Sequence, residues 1–218
     1  ALPSMRLPQA THWRTALSMP QLWFLAAIIF AAYWLYVGAF ELPAYAERGY
    51  DRTKEFGAVL GTLRDWLRPV AAIGAGLLAD RFRSSRIVSL AFGLLVLGYG
   101  SLWLMHPEAG GVGVLWIQVG VAASAGFALR GIYFALLEES RIPEHLTGTS
   151  VGLVSVLGFT PDVFAFVLSG WFVETYAGTN GYRYYFGLLA GVALVGLLAV
   201  VFLRRWLTGR VGRSSQSV

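Results

Sequence analysis

Six stretches of mostly apolar residues constrain this chain more than any other feature of its sequence. They cover 21–40, 57–79, 87–105, 114–137, 149–173 and 185–203. A transmembrane helix needs about 20 such residues. Apolar residues make up 56% of the 218 and charged residues only 13%, against roughly 25% charged in a soluble domain. The sequence therefore predicts an all-α integral membrane protein with six transmembrane helices, surrounded by the lipid bilayer.

The loops between these stretches predict the orientation of the chain. A polar connector at 1–20 and a basic tail at 204–218 flank a six-helix bundle at 21–203. Six crossings put both ends on one side. The connector, the second and fourth loops and the tail carry most of the Lys and Arg residues. The positive-inside rule then predicts a multi-pass protein of the plasma membrane with both termini in the cytoplasm.

The charges and the missing residue types argue against other classes of function. The formal charge is +5, but the basic residues lie in short loops, so we expect no nucleic-acid partner. There are no cysteines, and the three histidines, His12, His106 and His145, lie outside the apolar stretches. A membrane-embedded enzyme would need a cluster of His, Cys or carboxylate side chains. No stretch holds one, so we expect no enzyme, metal or cofactor.

A weak internal echo suggests a repeat. The segments GLLAD at 76–80 and GWFVE at 170–174 share a Gly-x-x-x-acid pattern at the ends of the second and fifth stretches. One lies at the predicted cytoplasmic end and the other at the outer end. Two inverted three-helix units would produce this arrangement, which is frequent in secondary transporters.

The second stretch is unusual because three charged residues, Arg64, Asp65 and Arg68, fall within it. Each costs ~2.5–3.5 kcal/mol at a helix centre, whereas a large apolar residue returns only ~0.3–0.6 kcal/mol. A helical projection places the charges on the face with the smallest residues, opposite the large apolar ones. The small residues are Gly57, Gly61, Ala72, Ala75 and Ala79, and the large ones are Val59, Leu60, Leu63, Trp66, Leu67, Val70, Ile73 and Leu77. We expect the charged face to point away from lipid, and Pro69 to kink the helix or loosen its hydrogen bonds.

Other stretches carry polar side chains in line with aromatic or small residues. Tyr33 lies on the first stretch, Arg130 on the fourth, and Ser155 and Asp162 on the fifth. These faces repeat the arrangement of the second stretch. The family resemblance given below implies that the four residues lie on cavity-lining helices. Each aromatic residue can equally be explained by ordinary helix packing.

Two interpretations of the intramembrane charges compete. In the first, Asp65 or Asp162 neutralises an arginine and the pair sets the helix register. In the second, Arg64, Arg68 or Arg130 meets an anionic substrate in a cavity near the bilayer midplane. Three arginines against two aspartates leave one positive charge unmatched, which favours the second interpretation. Arginine suits this role because it stays charged and its fork matches a carboxylate, phosphate or sulfonate.

Two segments carry a resemblance to a known family. The segment GLLADRFRSSR at 76–86 resembles the cytoplasmic loop signature of the major facilitator superfamily, with matches at Gly76, Asp80, Arg81 and Arg86. Arg83 stands where that signature has Gly, and Ser85 where it has a basic residue. The segment at 130–174 is similar to the tenth and eleventh helices of a bacterial, anion-permease-like branch of the superfamily.

This resemblance implies a fold and a function. The superfamily has twelve helices in two six-helix halves, with the substrate between them, so this chain would be the C-terminal half. Its partners would be an N-terminal half, a small anion, and protons or another co-transported ion. Gly76, Asp80, Arg81 and Arg86 would form a cytoplasmic latch, in which Gly76 allows close helix approach. Arg64 or Arg68 would contact the substrate, and the membrane would be the bacterial inner membrane.

The mode of transport stays open at this point. Asp65 and Asp162 are the candidates for carrying a proton, but the neighbouring arginines oppose protonation. Symport and exchange of one anion for another therefore fit equally well. The alternative function is a channel or receptor-like bundle that does not transport, with structural ion pairs inside the membrane.

Overall fold

The computed structural model describes residues 9–140 and 142–214, and this part of the chain is helical with no strand. The helices in chain order are α1 (Gln9–Leu17), α2 (Pro20–Gly38), α3 (Leu42–Gly49), α4 (Lys54–Arg81), α5 (Ser84–Leu104), α6 (Pro107–Ile132), α7 (Ala135–Glu139), α8 (Glu144–Gly158), α9 (Pro161–Thr175) and α10 (Asn180–Ser214). A short 3-10 turn, Ala39–Glu41, joins α2 to α3. The predicted connector therefore contains α1, and α10 continues well into the predicted tail.

Five segments of the described chain are long and apolar enough to cross a membrane. They are Pro20–Gly49, Ser84–Leu104, Gly111–Ile132, Glu144–Thr175 and Asn180–Thr208. These correspond to five of the six predicted stretches. The sixth, α4, is 28 residues long, but every 18-residue window of it contains Arg64, Asp65 and Arg68. Its crossing of the membrane stays a prediction.

The first and fifth segments differ from the predicted boundaries at proline residues. The first continues beyond 40 to Gly49, through the 3-10 turn and α3, where Pro43 occupies the first turn. The fifth is divided into α8 and α9, and Pro161 is the first residue of α9. Proline is tolerated at these positions because the first turn of a helix needs no partner for its N–H groups. Inside α4, the helix continues past Pro69 to Arg81.

Helix α2 lies at the centre of the bundle. It packs against α6, α8, α9 and α10, while α5 packs against α6 and α10. The core between them consists of fully buried apolar and aromatic side chains, among them Leu25, Ile28, Ile29 and Leu35 of α2, Phe92 and Tyr99 of α5, and Phe186 and Leu189 of α10. The Tyr99 hydroxyl donates to the Leu35 carbonyl at 2.7 Å, which satisfies the only polar atom of that buried side chain.

Helix α4 lies at the side of the bundle, on α6 and α3. The two helices approach closely at Gly131 of α6, where an added Cβ would lie 3.4 Å from the Ala72 Cα. The large residues Val59, Trp66, Val70, Ile73 and Leu77 are exposed, as the projection predicted. Leu60 differs from the prediction, because it is fully buried against the core. The packed face of α4 is therefore rotated toward Leu60 relative to the predicted one.

Candidate functional site

A row of aromatic side chains runs along one face of the first membrane segment. We call Tyr33, Tyr36 and Phe40 the aromatic row. The ring centroids of Tyr33 and Tyr36 are 5.9 Å apart, and those of Tyr36 and Phe40 are 5.6 Å apart. The row contacts Phe127 of α6 on one side, 5.8 Å from Tyr36, and Phe159 after α8 on the other, 4.7 Å from Tyr33. It thus connects the α4–α6 side of the bundle with the α8–α9 side.

Arg130 extends from the last turn of α6 over this row. Its guanidinium carbon lies 4.1 Å from the ring centroid of Tyr36 and 5.4 Å from that of Tyr33. Such cation–π contacts contribute ~0.5–2 kcal/mol, depending on desolvation. The side chain is half-buried, and among the described residues it has no hydrogen-bond or ion-pair partner. A guanidinium held over a ring keeps its in-plane N–H groups available for another acceptor.

Asp162 faces the aromatic row from the first turn of α9. Its Oδ2 accepts a hydrogen bond from the Tyr33 hydroxyl at 2.7 Å. The carboxylate is exposed, and the N-terminus of α9 stabilises its negative charge. The structure therefore brings Tyr33, Arg130 and Asp162 together.

Arg64 is held by protein groups on every side. Its side chain is only 6% exposed, and its Nε and Nη2 donate to the Asp65 carboxylate at 3.0 and 2.7 Å. Its Nη1 donates to the Ala39 carbonyl at 3.1 Å, and its guanidinium lies 4.1 Å from the Phe40 ring centroid. These contacts join α4 to the 3-10 turn. They correspond to the structural interpretation of the charges, in which an aspartate neutralises an arginine.

Asp65 and Arg68 lie on an exposed polar strip of α4. The Asp65 side chain is 64% exposed, and Arg68 is exposed with no ion pair or hydrogen bond to the described part of the chain. On a helical projection the strip lies between the packed face around Arg64 and the exposed apolar face around Trp66. Charged groups are costly beside lipid chains. The strip is therefore suited to contact with water or with another protein surface.

Glu41 is a polar residue of this region that the sequence analysis missed. It lies in the 3-10 turn, inside the first membrane segment, and its Oε1 accepts a hydrogen bond from the Ser169 hydroxyl at 2.7 Å. The sequence feature that could have indicated this is the apolar run LPAYA directly after Glu41, which extends the segment beyond residue 40. The predicted count of three arginines against two aspartates leaves out Glu41, and also Glu47 and Arg48, which lie in the same segment.

The described residues enclose little empty volume beside these charges. A cavity of about 10 Å³ lies between Tyr36, Arg64 and Phe127, which is about the space that one water needs. Ser155 is half-buried on α8, and no described hydrogen bond of its hydroxyl joins it to the row. The candidate site is thus an open face, not an enclosed pocket of this chain. No group of three or more His, Asp or Glu side chains among the described residues is placed to hold a metal ion.

The predicted latch residues lie around the turn from α4 to α5. Asp80, Arg81 and Arg86 are exposed. A side chain at Gly76 would meet no atom of the described chain within 4 Å, so the expected close approach is not made to any described residue. The turn itself is formed by Phe82 in an extended conformation and by Arg83, without a glycine.

Comparison with known proteins supports the membrane assignment. The chain is 24% identical over 207 residues to "Inner membrane protein YihN" of Escherichia coli (strain K12), an alignment covering 92% of this chain and 48% of that protein. It is 26% identical over 185 residues to "Inner membrane protein YqcE" of the same organism, covering 82% of this chain and 42% of that protein. An "Uncharacterized protein MG294 homolog" of Mycoplasma pneumoniae is 26% identical over 217 residues, with 89% and 45% covered. The chain spans about half the length of these curated relatives.

No family model and no solved structure matches this chain. The names of the two Escherichia coli relatives place them in the inner membrane. Together with the five apolar segments, they identify a multi-pass protein of the bacterial inner membrane.

Proposed function

We propose that this chain is one half of a secondary transporter that carries a small organic anion, such as a carboxylate, phosphate or sulfonate, across the membrane.

 The chain would supply the C-terminal six helices of a fold like that of the major facilitator superfamily, built from two inverted three-helix repeats. Transport would proceed by alternating access, as symport with a proton or another ion, or as exchange of one anion for another. An N-terminal half would supply the opposite wall of the substrate site. The relatives, about twice as long as the aligned region, leave room for such a second half.

The observation that carries this proposal is the guanidinium of Arg130. It lies over Tyr36, half-buried in a membrane segment, and has no carboxylate partner among the described residues. A buried charge without a partner is costly, so an intramembrane arginine of this kind is a candidate for function. The planar fork binds a carboxylate, phosphate or sulfonate through two parallel hydrogen bonds.

The contacts around the other two arginines divide their roles. Arg64 already has its carboxylate and a backbone carbonyl, so we assign it to holding α4 against the 3-10 turn. Arg68 is exposed on the polar strip of α4 and is the second candidate for contact with the anion. Helix α4 could cross the membrane with the arginines in these roles, because its charged residues do not lie on its exposed apolar face.

Asp162 is the candidate that couples the anion to a second ion. It accepts from Tyr33, whose ring also lies beside Arg130. An anion bound at Arg130 would sit near the Asp162 carboxylate, and the repulsion between them would be relieved by a proton on Asp162. This gives anion–proton symport a physical basis. Exchange requires only that one anion replaces another at Arg130.

The experiment is anion uptake by the full-length protein in liposomes. The probes are lactate, succinate, inorganic phosphate, sulfate and isethionate, each radiolabelled and tested with and without a pH gradient. For any probe that is transported, Arg130→Gln should lower uptake below saturation by at least about tenfold, because one charge-assisted hydrogen bond contributes ~1.5–3 kcal/mol. Arg14→Gln, in the connector, is the matched control.

Two further variants separate the roles. Tyr33→Phe removes the hydroxyl that Asp162 accepts from and keeps the ring under Arg130, so it should change the pH dependence of uptake more than the affinity. Tyr184→Phe, at an exposed position of α10, is its control. Wild-type uptake in both Arg130→Gln and Arg68→Gln would contradict the proposal that these arginines bind the anion.

A further inference from the structure

A second cationic region lies at the end of the bundle that holds the α4–α5 turn. None of the residues that line it belongs to the aromatic row. A cavity of about 760 Å³ opens between the α4–α5 turn, α7 and the last turns of α10. Three arginines line it, Arg83 from the turn and Arg204 and Arg205 from α10. Its apolar lining includes Val201 and Leu207.

Among the described residues that line this cavity, Glu139 is the one carboxylate, and it is already engaged. Glu139 of α7 accepts from the backbone N–H of Ser85 at 2.8 Å and from the Ser85 hydroxyl at 2.7 Å. It therefore caps the N-terminus of α5, where Arg83 offers no side-chain cap. None of the three arginine side chains has an ion pair or hydrogen bond to the described residues. The cavity is left with a net positive charge and unused donors.

The position of the arginines along α10 sets their depth in the membrane. The segment Asn180–Thr208 is apolar enough to cross, and Arg204 is the first charged residue after Arg183 on it. Arg204 and Arg205 therefore lie where the hydrocarbon core gives way to the headgroups. Val201, one turn deeper, and the stems of the arginines offer apolar surface to acyl chains.

We propose that this cavity binds the phosphate of an anionic phospholipid on the side predicted to face the cytoplasm. Basic pockets between helices at this depth match the charge of such headgroups. Three guanidiniums attract a phosphodiester whose headgroup carries no amine, as in phosphatidylglycerol. They repel the ammonium group of a zwitterionic lipid, so the cavity should discriminate between the two. The site is separate from the proposed anion site.

The test is lipid binding to the full-length protein, measured by native mass spectrometry after delipidation in detergent. The probes are a short-chain phosphatidylglycerol and the matching phosphatidylcholine. Phosphatidylglycerol should bind in preference, and its affinity should fall about fivefold for each of Arg83→Gln, Arg204→Gln and Arg205→Gln. Arg204→Lys should retain most of the affinity, and Arg14→Gln all of it.

Several results would overturn the proposal. Unchanged phosphatidylglycerol affinity in the triple variant is one, and equal binding of phosphatidylcholine is another. Full competition by inorganic phosphate at equal concentration would assign the cavity to a soluble anion instead of a lipid. If the triple variant does not fold, Arg205→Gln carries the test alone, because its exposed side chain contributes little to packing.

Discussion

Replacing Arg64 should destabilise the protein more than replacing the aspartate that pairs with it. Arg64→Met keeps most of the side-chain volume and removes the charge from a position that is 6% exposed. Asp65→Asn removes the charge from a side chain that is 64% exposed and keeps an oxygen that accepts a hydrogen bond. The two variants break the same ion pair but leave different groups behind.

The structure sets the size of each effect. Arg64→Met loses the hydrogen bond to the Ala39 carbonyl, where a charged donor contributes ~1.5–3 kcal/mol. It also loses the cation–π contact with Phe40, which contributes ~0.5–2 kcal/mol. The ion pair adds little, because the Asp65 carboxylate is 64% exposed and solvent-screened pairs contribute ~0–1 kcal/mol. We therefore expect a loss of about 2–4 kcal/mol for Arg64→Met and about 1 kcal/mol for Asp65→Asn.

The assay is reversible unfolding of the purified protein in mixed micelles, followed by tryptophan fluorescence. The double variant completes a thermodynamic cycle, and its coupling energy should be below about 1 kcal/mol. A cost for Asp65→Asn equal to or above that of Arg64→Met would refute the reasoning, because the ion pair would then dominate. Unchanged stability in Arg64→Met would remove the structural role that we assign to Arg64.

Two further predictions concern contacts between helices. Gly181→Ala should destabilise the protein by about 1–3 kcal/mol, because the added Cβ would lie 2.6 Å from the Val173 backbone. The control is Gly191→Ala, whose Cβ would meet no described atom within 4 Å. It should be neutral or stabilising in the same unfolding assay. Arg183→Gln should lower the free energy of unfolding by about 1–2 kcal/mol, because Arg183 donates to the Trp103 carbonyl at 3.1 Å at the end of α5. An unfolding temperature equal to that of the wild type would show that water replaces this contact.

The helices and the exposed face of α4 could be predicted because they depend on local composition. Long apolar runs have only helices available to them in lipid, and the run of Val70, Ile73 and Leu77 lies on one side of any helix of this sequence. The helix faces that hold Arg130 and Asp162 could be predicted in the same way. The contacts that join both residues to Tyr33 depend on how the helices pack.

The ends of the segments and the pairing of the charges were harder to predict. Glu41 lies one residue beyond the first predicted stretch, which ends at residue 40. In the structure the chain turns through a 3-10 helix and continues. That continuation places Glu41, Glu47 and Arg48 inside the first membrane segment, so the charges counted from the sequence were not the whole set.

The sequence by itself determined that this chain is embedded in a membrane, because a run of about 20 apolar residues has few other stable surroundings. It also determined which charged residues would cost free energy on transfer into the membrane. Only the tertiary structure decided which charges are satisfied: Arg64 finds Asp65 and the Ala39 carbonyl, while Arg130 finds aromatic rings. A charge is neutralised by whichever group lies within a few ångströms, and that distance is set by how the helices pack, which no residue spacing along one helix specifies.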